Sequence, residues 1–176
     1  MKDTTEHDPA PEGPANFLEF AAGRGPHLVR TAFLLTGGDA HLAEDLAQET
    51  LGRMFARWRT VSRMENPVGY AQTTLVNTFL THKRRRSSGE HVTDTFSETP
   101  VSEGDPALRL TLLHALAQLP PQDRAVLVLR FWEDRSVEET ATILKQRSGA
   151  VRTRSGRALE RLRSVLGTEL AELAVK

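Results

Sequence analysis

Ser136 and Glu139 open SVEETATILKQRSGAVRTRSGRALERLR (residues 136–163), and no other feature of this chain constrains its fold as strongly. A serine with a glutamate three positions on is a capping box, so a helix begins at Ser136. Val137, Thr140, Ala141 and Leu144 form its inward stripe. Lys145-Gln146-Arg147 has the length of a helix-turn-helix connection, and Ser148 is placed to cap the next helix. In that second helix Val151, Ala158, Leu162 and Val165 make one buried stripe. The remaining surface carries Arg152, Arg154, Arg157, Arg161 and Arg163 against a single acid, Glu160. A short helix, a small turn and a basic second helix suit docking of that second helix in a DNA major groove. Gly149, early in the second helix, permits close backbone approach. The composition alone fits equally well a solvated basic face that touches no nucleic acid.

The net charge of zero argues against nucleic acid only until its distribution is considered. Residues 66–86 carry Lys83, Arg84, Arg85 and Arg86 and no acid. Residues 87–106 carry Glu90, Asp94, Glu98, Glu103 and Asp105 and no Lys or Arg. Two basic helices thus flank an acidic segment. There is no cysteine, which excludes a disulfide framework and a thiolate metal site. No apolar run approaches the roughly 18 residues of a membrane span, and the polar, Pro-rich start MKDTTEHDPAPEGPA is unlike a signal peptide. A cytoplasmic protein is expected.

The spacing predicts an all-α chain of two small helical domains: a disordered tail over 1–14, a first domain over 15–86, a flexible acidic linker over 87–106, and a second domain over 107–176. Short helices over 16–24 and 27–35 are parted by Gly25-Pro26. Asp39 caps a long helix, AHLAEDLAQETLGRMFARW. Leu42, Leu46, Leu51, Met54, Phe55 and Trp58 lie on one side of it, and Asp45, Gln48 and Glu49 on or beside the other. Asn66-Pro67 opens a helix with Val68, Ala71, Leu75, Phe79 and His82 inward, ending in KRRR. The linker holds two Gly, two Pro and seven Ser or Thr in SSGEHVTDTFSETPVSEGDP, and extended it spans roughly 65 Å. Asp105-Pro106 starts a helix through Gln118, Leu119-Pro120-Pro121 breaks it, and an apolar helix follows over 122–133.

Catalytic signatures are lacking: there is no Gly-rich phosphate loop, no HExxH, no GxSxG and no His–carboxylate cluster at ligand spacing. Neither an enzyme nor a bound metal or cofactor is expected. The helix over 66–86 instead offers Gln72, Thr73, Asn77 and Thr81 running into Lys83–Arg86, with Tyr70 to stack on a base. That set suits single-stranded or distorted DNA, although a solubilising basic tail accounts for it about as well. The Asp45–Gln48–Glu49 face by itself reads as solvated.

Over about Phe17–Leu166 the chain resembles the extracytoplasmic-function (group four) sigma factors of bacterial RNA polymerase, and most of all the actinobacterial sigma-E-like subfamily. RTAFLLTGGDAHLAEDLAQETLGRMFARW and NPVGYAQTTLVNTFLTHKRRR are similar to that family's region two; LPPQDRAVLVLRFWEDRSVEETATIL and GAVRTRSGRALERLR are similar to its region four. The resemblance implies a protein that binds core polymerase through the largest-subunit coiled coil and the flap region, and that recognises −35 and −10 promoter elements and aids melting. An anti-sigma factor is a further possible partner. It implies polymerase docking through Asp45, Gln48 and Glu49, −10 contacts and melting through Tyr70, Gln72, Thr73, Asn77, Lys83, Arg84 and Arg85, and −35 contacts through Ser148, Gly149, Arg152, Thr153, Arg154, Arg157 and Arg161. Two departures stand out. Positions 72 and 73 are often basic in the family, and its turn usually carries Gly, a hydrophobic residue and Ser where Lys145, Gln146 and Arg147 stand here. A stand-alone helix-turn-helix regulator and a non-initiating polymerase-binding protein are the competing readings; dependence on core polymerase and run-off transcription separate them.

Overall fold

A computed structural model describes residues 14–89 and 105–174, and every regular element among them is helical. The expected tail over 1–14 and the acidic linker fall almost wholly outside the described residues.

Helix α1 runs unbroken over Pro14–Leu35 with Pro26 inside it. The sequence predicted a break at Gly25-Pro26, because an interior proline forfeits a backbone hydrogen bond and costs roughly 3 kcal/mol. The correction comes from packing. Phe17 lies before the proline and Leu28, Ala32 and Leu35 after it, and all four are buried in one cluster with the next helix. At roughly 1.5–3 kcal/mol per buried large apolar side chain, that face outweighs the proline. Gly37 and Gly38, at φ +67° and +98°, turn the chain. Asp39 then caps α2 (Ala40–Ala56) through a 3.0 Å bond from the Leu42 amide. The helix expected to reach Trp58 breaks at Arg57, and α3 (Trp58–Val61) carries Trp58 under Phe17 and Phe20. Phe55, expected on the core side, is 53% exposed and only leans on the Phe17 ring. Asn66 caps α4 (Pro67–Ser87) as expected, by accepting from the Gly69 amide at 2.8 Å.

Asp105 caps α5 (Pro106–Ala117), and α6 (Pro121–Leu127) follows the double proline. In place of one helix to Glu133, a π-helical turn occupies Val128–Trp132. Then come α7 (Val137–Leu144) and α8 (Ser148–Ala174). The two helical units, as expected, lie one on each side of the linker, and they meet in one buried cluster: Ala125, Val128 and Leu129 lie with Leu35, Leu46, Leu75 and Phe79.

Polar contacts fasten this junction. Arg124, 4% exposed, donates to the carbonyls of Leu35 (2.7 Å), Ala117 and Leu119 (both 3.0 Å), so it closes the ends of α1 and α5 together. Gly37 lies so near the end of α5 that a Cβ there would stand 2.6 Å from the Cβ of Ala117. The π-helical turn delivers Glu133, whose side chain is 3% exposed, to α1 and α4. Its carboxylate accepts from His27 Nε2 (3.0 Å), Thr31 Oγ1 (2.5 Å) and Gln72 Nε2 (2.5 Å). Trp132 stacks on His27 and donates to Thr31 Oγ1 at 2.9 Å, while Arg135 donates to the Gln72 carbonyl.

Candidate nucleic-acid interface

The capping box forms as the sequence predicts. The Glu139 amide donates to Ser136 Oγ at 3.0 Å, and the Ser136 amide donates to Glu139 Oε2 at 2.8 Å. The backbone bond from Ser136, followed by its hydroxyl and Arg135, holds the Glu139 carboxyl below the usual carboxylate range. Lys145 ends α7 in the left-handed region (φ 53°, ψ 45°), a place where glycine is the easy choice. The Gln146 amide still reaches the Ala141 carbonyl at 2.9 Å, and its side chain donates to Gln122 Oε1 at 3.1 Å, so the turn is tied down without glycine. Arg147, and not Ser148, stands at the cap position of α8: its carbonyl accepts the first intrahelical bond, from Val151, and Ser148 is already helical.

Val151, Ser155 and Ala158 line the buried side of α8. Val151 packs with Val126 and Ala141, and Ala158 with Leu116, Leu119 and Leu127. The opposite side exposes Gly149, Arg152, Thr153, Arg157, Arg161 and Arg163 along a continuous face. Arg152 is loosely associated with Glu138, at 4.0 Å between two exposed side chains. Arg154 and Arg161, expected as DNA contacts with the others, are engaged within the protein: both donate to Asp123, at 2.9 and 2.6 Å. Asp123 is 4% exposed, and so buried a carboxylate draws the nearest cations to itself. A shallow recess lined by Asp123, Thr153, Arg154, Arg157 and Arg161 lies against α8.

On α4 the expected polar stripe divides. Arg84 and Arg85 are exposed, and Asn77, Thr81 and Lys83 are half-buried. Gln72 is only 5% exposed and lies in the Glu133 cluster. Tyr70, expected to offer an open ring, is half-buried and packs against the core, and Thr73 is spent on the Gly69 carbonyl at 2.9 Å. Asp45, Gln48 and Glu49 are exposed on α2, opposite buried Ala43, Leu46, Ala47 and Met54, with Glu49 paired to Arg53 at 2.7 Å. Asp123 and Glu133 did not stand out in the sequence. One reads as an ordinary first-turn acid, the other as a helix-end acid, and their partners lie 31 to 106 residues away. Among the described residues there is no group of three or more potential metal ligands, and no helix long and apolar enough to cross a membrane.

Residues 23–89 match the family described as Sigma-70 region 2, and residues 109–162 match Sigma-70, region 4. A protein with both regions, in this order and with a helix-turn-helix in the second, is a sigma factor. The chain is 36% identical over 152 residues to the RNA polymerase sigma-E factor of Streptomyces coelicolor, covering 85% of each. It is 32% identical over 167 residues to the ECF RNA polymerase sigma factor SigE of Mycolicibacterium smegmatis, covering 89% of this chain and 63% of that one. The fold is similar to that of the sigma factor RpoE solved with the anti-sigma factor NepR from Bartonella quintana, with TM-score 0.73, 26% identity and coverage of 86% of this chain and 97% of that one. The chain belongs to the RNA polymerase sigma-factor family, in its sigma-E-like, extracytoplasmic-function branch, whose members direct polymerase to promoters.

Proposed function

We propose that α8 enters the major groove of the −35 element, with Arg152 and Thr153 reading base edges and Arg157 holding phosphate. The exposed face of α8, presented by a capped, fully tied helix-turn-helix, carries this reading. Residues 15–86 and 107–176 act as its two functional units. The basic end of α4, with Arg84 and Arg85 exposed, serves the −10 element. Tyr70, Gln72, Thr73 and Asn77 join it once the two halves part. Asp45, Gln48 and Glu49 dock on core polymerase. The protein acts by binding in the cytoplasm, with no catalytic centre of its own. The RpoE–NepR pairing supports an anti-sigma partner here as well.

Run-off transcription with purified core polymerase and a promoter library tests the whole. Transcripts should start from a defined promoter class only when the protein is present. Arg152→Ala should relax preference at one −35 position, corresponding to about 1–3 kcal/mol. Unchanged preference would refute the base-reading role, and DNA binding that needs no polymerase would favour a stand-alone regulator.

A further inference from the structure

We propose that Asp123 is a positioning residue that apportions the arginines of α8 between the protein and DNA, and so sets −35 specificity. The proposal rests on α8 being the −35 reader. Arg154 and Arg161 are seven residues apart, two turns along α8, and each donates through Nη1 to a different oxygen of Asp123. Two anchor points two turns apart fix both the rotation of α8 about its axis and its height on α6. The carboxylate itself is held in place by its position in the first turn of α6, where the helix dipole favours negative charge, and by burial to 5% side-chain exposure.

The clamp has a second effect. The two clamped side chains keep 38% and 55% exposure, so freed of Asp123 they would reach solvent and phosphate without moving the backbone. Held, they contribute little to sequence-independent attraction, and recognition is left to Arg152, Thr153 and Arg157. A buried acid in a DNA-facing recess is costly for affinity alone. It is intelligible as a device that trades general attraction for a fixed reading frame.

The test uses holoenzyme formed with core polymerase, wild-type and mutant −35 sequences, and a salt series. Asp123→Asn should lower discrimination between the two sequences at least about fivefold, and steepen the log–log salt dependence by roughly 1 to 2 as one or two further phosphates are neutralised. A triple variant, Asp123→Asn with Arg154→Gln and Arg161→Gln, removes the clamp and the freed charges together. Its salt dependence should return to wild type while discrimination stays low. This triple variant also decides the matter if Asp123→Asn alone fails to fold, since its three amides and carbonyls carry no uncompensated charge. If discrimination and salt slope match wild type in these variants while Arg152→Ala still relaxes −35 preference, the apportioning role is overturned and α8 remains the reader. If Arg152→Ala is also silent, the assignment of α8 fails, and this proposal with it.

Discussion

Replacing Glu133 with alanine measures how strongly the two halves of the chain are joined. The carboxylate is 3% exposed and accepts three hydrogen bonds, whose donors differ in what they do when it is removed. His27 is 34% exposed and can turn to water at little cost. Thr31, 1% exposed, keeps an alternative acceptor in the His27 carbonyl at 3.1 Å. Gln72, 5% exposed, has no such recourse, and a buried amide donor left without an acceptor costs roughly 1–3 kcal/mol. The one lost methylene adds about 0.8 kcal/mol, and a partial loss at Thr31 brings the total to about 2–5 kcal/mol, overlapping the range for breaking a buried charged cluster. Urea unfolding at neutral pH checks this, with Glu49→Ala as control. Glu49 joins an exposed ion pair with Arg53 and should change stability by less than about 0.5 kcal/mol. A loss at Glu133 below about 1 kcal/mol would mean that desolvation of the carboxylate cancels its bonds, and the reasoning would be wrong. Because one buried cluster spans both halves, wild type should unfold in a single transition.

Gly37→Ala should destabilise by about 2–4 kcal/mol in the same assay, because φ is +67° and the new Cβ would meet the Cα and Cβ of Ala117 at 2.8 and 2.6 Å. Gly52→Ala, with open space at its Cβ, should not destabilise. Burial, then Arg86 and Lys83, holds the His82 imidazole below 6.5, so the folded chain resists its protonation. Its contribution is fully present above pH 6.5 and is lost as pH falls below that value; His82→Gln should flatten the stability–pH curve on the acid side of 6.5. Charge reversal at Asp45 and Glu49 together should shift stability by no more than about 0.5 kcal/mol yet abolish holoenzyme formation in a pull-down; retained binding would move the docking face elsewhere.

Local rules made much of the fold legible. Asp39, Asn66, Asp105 and Ser136 each cap the helix that the sequence placed after them, since a cap depends on residues two or three positions away. The family blocks were likewise legible as continuous strings. What escaped was set at long range. Pro26 stays helical because α2 covers the helix on both sides of it, and Gln72 turns inward because Glu133 and Arg135, 61 and 63 residues later, meet it there. Arg154 and Arg161 looked equivalent to their neighbours until α6 placed a buried acid beside them. Helical periodicity identifies which face is polar; it does not say which polar groups have a partner already.

The junction at Glu133 also bears on distance. Helices α4 and α8 both pack against α6 and α7, so with at most one helix layer between them their axes lie within about 20 Å of each other. The −35 and −10 elements are roughly 25 base pairs apart, which on B-form DNA is about 85 Å. If α8 and α4 serve the −35 and −10 elements as proposed, a chain with Gln72 on Glu133 and Gly37 against Ala117 is too short a ruler for a promoter and reads one element at a time. Engaging both requires those contacts to part, and apparent affinity for a complete promoter falls in proportion to the fraction of molecules already open. The bonds that complete the core thus double as a threshold that polymerase and DNA together must overcome.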